Sequence, residues 1–202
     1  MSNAKQKMRL DRPVLVEGKY DKIKLDSLFE GTILTCDGFA LFRRHDRLAM
    51  LRRLATEKGL IVLTDPDGGG RQIRAFLSGA LPKERVIQLY IPKIEGKEKR
   101  KEKAGAAGLL GVEGMDAELL RRLFAPYAAA APSSGVTAVP LTRTRLYADG
   151  FSGGAGAKEK RAALLRALAL PDDLPTSAMT DAINLLGGLA VYEEALQRMT
   201  CL

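Results

Sequence analysis

Three acidic residues stand just after two apolar segments of the sequence. Glu17 follows Val14-Leu15-Val16, and Asp65 and Asp67 come shortly after Leu60-Ile61-Val62-Leu63. Short apolar runs of this kind predict strands that are buried in a parallel sheet. Ligand sites in open α/β sheets form beyond the carboxyl ends of the strands, so the three carboxylates are expected at one edge. Such a set of oxygen ligands predicts a Mg²⁺ site, with Mn²⁺ as the alternative ion, and metal-assisted cleavage of a phosphodiester backbone.

The predicted chemistry gives the three carboxylates two roles. Asp65 and Asp67 would position Mg²⁺, while Glu17 would either complete the coordination or take a proton from the attacking water. All three are therefore predicted to be both catalytic residues and metal ligands. Asp-Pro-Asp-Gly is also a good turn sequence, and Glu-Gly is a common connection after a strand, so either motif alone is more often a turn. Their occurrence together, each after an apolar strand, favours the metal site.

Glycines follow the second acidic motif directly. Gly68, Gly69 and Gly70 lack side chains beside the predicted metal. A bulky nucleic-acid backbone could therefore approach this place closely.

The strands and helices that must position these residues can be predicted from the sequence. Short β-branched runs alternate with longer amphipathic segments between residues 13 and 90. This alternation indicates βα units and a parallel sheet. Strands are predicted at 14–16, 32–35, 60–63 and 86–91. Helices are predicted after the first strand, at 44–58, at 71–81, after the N-cap Asp116, and at 158–168, 177–186 and 189–199. The fold class is thus α/β, with a parallel sheet flanked by helices and a small, mainly α-helical C-terminal domain.

The charge balance favours a polyanionic partner. The chain has 32 Lys and Arg against 24 Asp and Glu, which gives a net charge of +8. A highly charged run at 93–103 is either a solvated loop or a phosphate-contacting segment. The candidate RNA contacts are Lys19, Arg71, Arg74, Lys93 and Lys97. Exposed charges that serve only solubility would explain them equally well.

Other residue types are interpreted more plainly. His45 lies among charged residues and is interpreted as a helix-surface residue, because nothing pairs it with a nucleophile. Tyr20, Tyr90 and Tyr147 are interpreted as packing residues, because no interleaved aromatic and basic pattern is present. The two cysteines are far apart and form no Cys-x-x-Cys pair, which argues against a zinc site or a disulfide scaffold. A cytoplasmic location with no membrane partner is expected, since no segment reaches membrane-spanning length.

The order of the acidic motifs resembles a known superfamily. A strand, Glu17-Gly18-Lys19-x-Asp21 and a helix, followed later by a strand, Asp65-x-Asp67 and a helix, are similar to the Toprim domain of primases, topoisomerases and some nucleases. The likeness spans roughly residues 14–113. Within that superfamily the chain most resembles the ribonuclease M-five family, which matures 5S ribosomal RNA. The residues that carry this likeness are Val16 to Lys19, Asp21, Gly38, Thr64 to Asp67, Gly70, Ile73, Arg74, Pro92-Lys93 and Gly111 to Glu113. The sequence departs from the family at Gly68-Gly69, where the family is bulkier, and at Cys36-Asp37.

The resemblance implies a Mg²⁺-dependent endoribonuclease, a hydrolase that trims precursor 5S ribosomal RNA during ribosome biogenesis. It also implies a ribosomal protein that binds 5S ribosomal RNA as a candidate partner. The expected domains are a Toprim catalytic domain at 5–125, a linker at 126–140 and a helical, RNA-binding domain at 141–202. Residues 1–4 are interpreted as the remnant of an expression tag. The alternative is a non-cleaving Toprim-like module that binds nucleic acid or a protein partner in DNA replication or recombination.

Overall fold

The computed structural model describes residues 6–36, 42–98, 108–129 and 138–200. The strands in these ranges are β1 (Met8–Arg9), β2 (Val14–Val16), β3 (Phe29–Glu30), β4 (Ile33–Thr35), β5 (Leu60–Thr64) and β6 (Val86–Tyr90). The α-helices are α1 (Lys19–Leu28), α2 (His45–Lys58), α3 (Gly68–Ala80), α4 (Ala117–Phe124), α5 (Arg143–Ala148), α6 (Ala157–Ala167), α7 (Thr176–Leu186) and α8 (Leu189–Thr200).

The chain divides into two compact units. Residues 1–44 and 58–133 form the first unit, and residues 45–57 and 134–202 form the second. Almost all of α2 therefore groups with the C-terminal helices. The domain boundaries predicted from the sequence remain a prediction.

The main sheet of the first unit has four parallel strands in the order β4-β2-β5-β6. Strand β2 lies between β4 and β5, and Leu15 is the partner of Val62 across the β2–β5 pair. The residues that follow β2 and β5 consequently leave the sheet side by side at one edge. This parallel sheet with flanking helices confirms the predicted α/β fold class, and it has the arrangement expected of a Toprim-like fold.

Both central strands are buried along their whole length. Every residue of β2 and β5 is buried. Central strands of a parallel sheet are covered on both faces, which is why their sequences are continuous apolar runs and do not alternate. Helix α1 contacts β4 and helix α3 contacts β5. Because these side chains are buried, the ends of β2 and β5 are held in fixed positions in the sheet. The two acidic motifs start from these strand ends.

A small second sheet was not indicated by the sequence. Strands β1 and β3 pair in parallel, with Met8 opposite Phe29. Residues 127–129 hydrogen-bond to the chain near β1: Asp11 N–H donates to the carbonyl of Tyr127 at 3.0 Å, and Ala129 N–H donates to the carbonyl of Arg9 at 2.8 Å. Strands of two residues are too short to carry a period, so no pattern could reveal them.

Helix α3 begins three residues before the predicted start. Its N-cap is Asp67, whose Oδ1 accepts a hydrogen bond from Gly70 N–H at 2.9 Å. This cap holds the glycines within the first turn of the helix. The N-cap predicted at Asp116 is confirmed, since its Oδ1 accepts from Glu118 N–H at 2.8 Å.

The charged run that begins at Lys93 is partly built into the fold. Leu110 N–H donates to the carbonyl of Ile94 at 2.8 Å, and Gly96 N–H donates to the carbonyl of Gly108 at 3.0 Å. Glu98 is only 4% exposed, so the solvated-loop alternative is wrong at that residue. Residues 99–103 of the run lie outside the described residues.

The second unit consists of helices, as predicted. Helices α6, α7 and α8 agree with the predicted segments to within one residue at either end, whereas the six-residue α5 was missed. Tyr192 is fully buried, and its hydroxyl donates to Asp149 Oδ2 at 2.8 Å. Across the described ranges, no helix combines the length and the apolar character that a membrane crossing needs.

Candidate active site

Glu17 and Asp65 meet at the edge of the main sheet. Glu17 Oε1 accepts a hydrogen bond from the backbone N–H of Asp65 at 2.7 Å. The contact is possible because β2 and β5 are neighbouring parallel strands whose carboxyl ends lie together. The two predicted acidic motifs therefore contact one another directly.

Asp67 lies beside this pair but serves a structural role as well. One of its oxygens caps α3, as described above. Its negative charge still acts on Glu17, because it contributes to raising the pKa of that carboxyl. Because the cap uses Oδ1, the other oxygen of Asp67, Oδ2, takes no part in it.

Gly70 allows the two motifs to approach each other. A Cβ atom at this position would lie 2.1 Å from the carbonyl oxygen of Asp65 and 2.8 Å from Glu17 Oε1. Neither distance is tolerable, and the first involves backbone that cannot move aside easily. The absence of a side chain at Gly70 is therefore required by the packing of the acidic residues themselves.

A turn from the end of the first unit completes the acidic cluster. The backbone N–H groups of residues 111–113 donate in order to Glu98, Asp65 and Asp21, at 3.0 Å to Glu98 Oε1 and 2.8 Å to Asp65 Oδ1. A Cβ at Gly111 would lie 2.5 Å from Asp65 Oδ2, so a side chain there would displace the Asp65 carboxylate. Asp21 also accepts from Gly18 N–H at 3.1 Å.

The carboxylates of the cluster repel one another. The pKa of Glu17 is raised to about 7, mainly by burial and also by the negative charges of Asp65, Asp67 and Asp21, against the opposing effect of the Asp65 N–H. Burial also raises the pKa of Asp21 to about 7, assisted by the charges of Asp65 and Glu113. Like charges in a partly desolvated place disfavour the ionised form. A cation among these groups would relieve that repulsion.

A cleft of about 140 Å³ opens on this cluster. Its lining includes Asp21, Asp65, Glu98 and Glu113, together with Lys19. A water molecule occupies about 30 Å³ in the liquid. The cleft therefore has room for an ion and a few waters, and not for a bulky cofactor.

The donor set fits Mg²⁺ only as a partly hydrated ion. Within the described ranges, no three Asp, Glu, His or Cys side chains are arranged to hold one metal ion together. Mg²⁺ usually takes one or two protein carboxylates and retains several waters. The carboxylates beside the cleft have the hard oxygen chemistry that this ion prefers. The assignment of Glu17, Asp65 and Asp67 as joint ligands stays a prediction.

Arg74 differs from the exposed helix residue that the sequence predicted. It is only 8% exposed, and its Nη2 donates to Thr64 Oγ1 at 2.6 Å and to the carbonyl of Asp65 at 3.2 Å. Its guanidinium carbon lies 4.2 Å from the centroid of the Tyr90 ring. The charge is thus built into the wall of the site beside the Asp65 backbone.

Tyr90 also differs from its sequence interpretation. It was interpreted as a packing residue, yet it is 62% exposed. Tyr90 and Arg74 line a second cleft, of about 500 Å³, together with Arg71 and Lys93. Lys97 is exposed on the preceding charged segment. RNA binding by the basic candidates stays a prediction.

Two members of the acidic cluster, Asp21 and Glu98, were not among the predicted site residues, although Asp21 belongs to the first acidic motif. Asp21 stands three residues after the N-cap of α1, the position at which a carboxylate reaches back to the cap N–H, and this spacing was the available signal. Glu98 had no such signal, because it lies within a run of charges. Glu113, which is among the residues that carry the likeness to the family, lines the cleft. His45 is the first residue of α2 and is exposed, as predicted.

Comparison with known proteins relates the chain to ribonucleases. No protein-family model matches it. Ribonuclease M5 1 of Ligilactobacillus salivarius (strain CECT 5713) is 28% identical over 159 residues, which cover 79% of this chain and 76% of that protein. Ribonuclease M5 of Lactiplantibacillus plantarum is 32% identical over 105 residues, covering 52% of this chain and 51% of that protein. Ribonuclease M5 of Lactococcus lactis subsp. lactis is 30% identical over 120 residues, covering 59% and 53%. The chain spans about half the length of the last two relatives. It is therefore similar to several proteins named ribonuclease M5, and the match to the Ligilactobacillus salivarius protein covers most of its length.

Proposed function

We propose that this chain is a metal-dependent endoribonuclease that hydrolyses phosphodiester bonds in structured RNA. The observation that carries the proposal is the contact between Glu17 and Asp65 within a cluster of repelling carboxylates. The similarity to proteins named ribonuclease M5 supports RNA as the substrate class. The net charge of +8 agrees with a polyanionic substrate.

Mg²⁺ is the ion that we assign to the site, with Mn²⁺ as a substitute, and Asp65 and Asp67 are the residues that would hold it. When bound, such an ion stabilises charge on a phosphate and lowers the pKa of a coordinated water. Asp65 is oriented for this task by the N–H of Val112, which fixes its Oδ1. Asp67 is held in place by capping α3.

Glu17 is the residue that we assign to proton transfer. Its Oε1 is engaged by the Asp65 N–H, so Oε2 is the atom that would take a proton from water. A general base works best when its pKa lies near the working pH, and burial among carboxylates raises the pKa of Glu17 to about 7. The alternative role of Glu17 is that of a ligand that completes the coordination of the ion.

Precursor 5S ribosomal RNA is the substrate that the likeness to the ribonuclease M-five family favours, and the cytoplasm is the corresponding location. The same likeness makes a ribosomal protein that binds 5S ribosomal RNA the first candidate partner. Structured RNA would be recognised mainly by shape and by phosphate contacts. The exposed basic residues Lys19, Lys93 and Lys97 are the candidates for such contacts.

The test is cleavage of labelled precursor 5S ribosomal RNA in Mg²⁺, with and without the ribosomal protein. Wild type should cut the RNA, and EDTA should stop the reaction. Asp65→Asn should lose roughly a hundredfold or more in rate while still binding the RNA, because an amide oxygen can keep the hydrogen bond from Val112. Asp172→Asn, at an exposed pair with Arg166, is the matched control and should cut normally.

One outcome of the cleavage assay would contradict the proposal. Wild type that binds the precursor tightly but cuts no structured RNA or DNA in Mg²⁺ or Mn²⁺ would overturn the enzyme proposal. The non-cleaving module would then be the better description.

A further inference from the structure

The cleft between α3 and the end of β6 differs from the acidic cleft in size and in charge. It has a volume of about 500 Å³ and is lined by Arg71, Arg74, Tyr90 and Lys93, together with Pro66. Clefts that take a small ligand commonly have volumes of about 300–1,000 Å³. Among the described residues that line it there is no carboxylate. The cleft therefore suits an anionic ligand of about the size of one nucleotide.

Arg74 supplies a buried positive charge to this cleft. Both of its hydrogen bonds come from Nη2 and go to neutral oxygens, and its Nε has no partner. Within the part of the chain that the structure describes, no carboxylate pairs with it. A buried cation is costly unless an opposite charge accompanies it. An anionic group bound in the cleft would provide that charge.

Tyr90 supplies an aromatic surface in the same place. The ring contacts the Arg74 guanidinium on one side, which fixes its orientation, yet the residue remains 62% exposed. Exposed aromatic rings next to cations are the features with which proteins stack unpaired bases. A base in the interior of a continuous helix is stacked between its neighbours and cannot offer its face to such a ring.

One turn joins the two clefts. Thr64 and Pro66 line the basic cleft, while Asp65 between them lines the acidic one. Arg74 contacts the backbone of Asp65. An RNA strand whose phosphate lies at the acidic cluster would thus bring an adjacent nucleotide to the basic cleft.

We propose that this cleft binds one unpaired nucleotide adjacent to the cleaved phosphate, with its phosphate held by Arg71, Arg74 and Lys93 and its base stacked on Tyr90. The inference rests on the proposed ribonuclease function and adds a preference for an unpaired nucleotide beside the cleavage point. Because stacking tolerates any base, the cleft selects an unpaired conformation and not a sequence.

The test measures binding in EDTA, so that cleavage plays no part. The probes are RNA hairpins with a short unpaired 5′ or 3′ extension that carries 2-aminopurine, and the same hairpins with blunt ends. For wild type, one of the extensions should bind more tightly than the blunt hairpin, and its 2-aminopurine fluorescence should be quenched by stacking. Tyr90→Leu should weaken binding of that extension by roughly tenfold and abolish the quenching.

Matched variants separate stacking from other effects. Tyr90→Phe keeps the ring and should retain both binding and quenching. Tyr147→Leu removes another exposed tyrosine, 67% exposed in the second unit, and should behave as wild type. An abasic residue in place of the 2-aminopurine should erase the difference between wild type and Tyr90→Leu. Thermal unfolding of each variant shows that it is folded.

The outcomes distinguish this inference from the proposed function. Normal binding and quenching in Tyr90→Leu, or equal losses for the extended and the blunt hairpins, would overturn the nucleotide site whether or not the protein cleaves RNA. Equally tight binding of a phosphoserine peptide, lost in Tyr90→Leu, would also overturn it. Tyr90-dependent binding by a protein that cuts no RNA would retain the site and reject only the cleavage.

Discussion

Glu17 Oε1 lies 2.7 Å from the backbone nitrogen of Asp65, although 48 residues separate the two in the sequence. The contact joins the loops after two neighbouring parallel strands. It places a carboxylate whose pKa is raised to about 7 beside the residue that we assign to the metal.

Glu17→Gln should remove activity without harming the fold. The amide oxygen can still accept the hydrogen bond from Asp65 N–H, but it cannot take a proton from water. General bases contribute about a hundredfold to ten-thousandfold to rates, so we expect a loss of at least about a hundredfold in single-turnover cleavage of precursor RNA. The control is Glu57→Gln, at an exposed pair with Arg53. Cleavage by Glu17→Gln at the wild-type rate would remove Glu17 from the mechanism.

Stability should fall as the pH rises. The pKa values of Glu17 and Asp21 are raised by burial from 4.5 and 3.8 to about 7, so the folded protein binds protons that the unfolded chain has already released. The protons bound to Glu17 and Asp21 stabilise the folded state. This stabilisation is complete below the unfolded pKa values and is lost as the pH rises through about 7. Thermal unfolding in a chelating buffer should give a lower Tm at about pH 8 than at about pH 5.

The same experiment on Glu17→Gln isolates the contribution of this residue. The variant should show a smaller difference in Tm between the two pH values, and Glu57→Gln should show the wild-type difference. One pKa unit corresponds to about 1.4 kcal/mol, and Glu17 and Asp21 share Asp65 as a neighbour. We therefore expect the free energy of unfolding of wild type to fall by a few kcal/mol at most between the two pH values. Identical pH profiles for wild type and Glu17→Gln would contradict the prediction.

Mg²⁺ and Mn²⁺ should stabilise the protein in a way that depends on the cluster. A ligand that binds only the folded state raises Tm by mass action, and a cation binds best when the carboxylates are ionised. The rise in Tm on adding Mn²⁺ should therefore be larger at about pH 8 than at about pH 5. Asp65→Asn should lose the rise, and Asp172→Asn should keep it. A rise of the same size in all three proteins would point to ions bound elsewhere.

Gly70→Ala and Gly79→Ala should have opposite effects, although both glycines lie in α3. A Cβ at Gly70 would lie 2.1 Å from the Asp65 carbonyl oxygen, whereas a Cβ at Gly79 would meet nothing within 4 Å. Overpacking costs about 1–3 kcal/mol or more, while replacing an exposed helix glycine by alanine gains up to about 1 kcal/mol. Urea unfolding measures both changes. Equal stability of the two variants would show that the acidic loops are not closely packed.

The positions of Glu17 and Asp65 could be predicted because each comes just after a strand that the local sequence reveals. Buried parallel strands read as apolar runs, and topology alone brings the ends of such strands to one edge. Glu17 and Asp65 were found in this way, and the cap at Asp116 was found from its residue type. The sequence determined these features because strand burial and helix capping depend on residues only a few positions apart.

Tertiary structure decided the rest. Glu98 lies in a charged run but is buried, and its Oε1 accepts a hydrogen bond from the N–H of Gly111. Arg74 looks like a helix-surface charge but is held under Tyr90 by β5 and the Asp65 carbonyl. In each case the environment is created by groups outside the segment that carries the residue, and no periodicity or residue type near Glu98 or Arg74 carries information about which other segment will pack there.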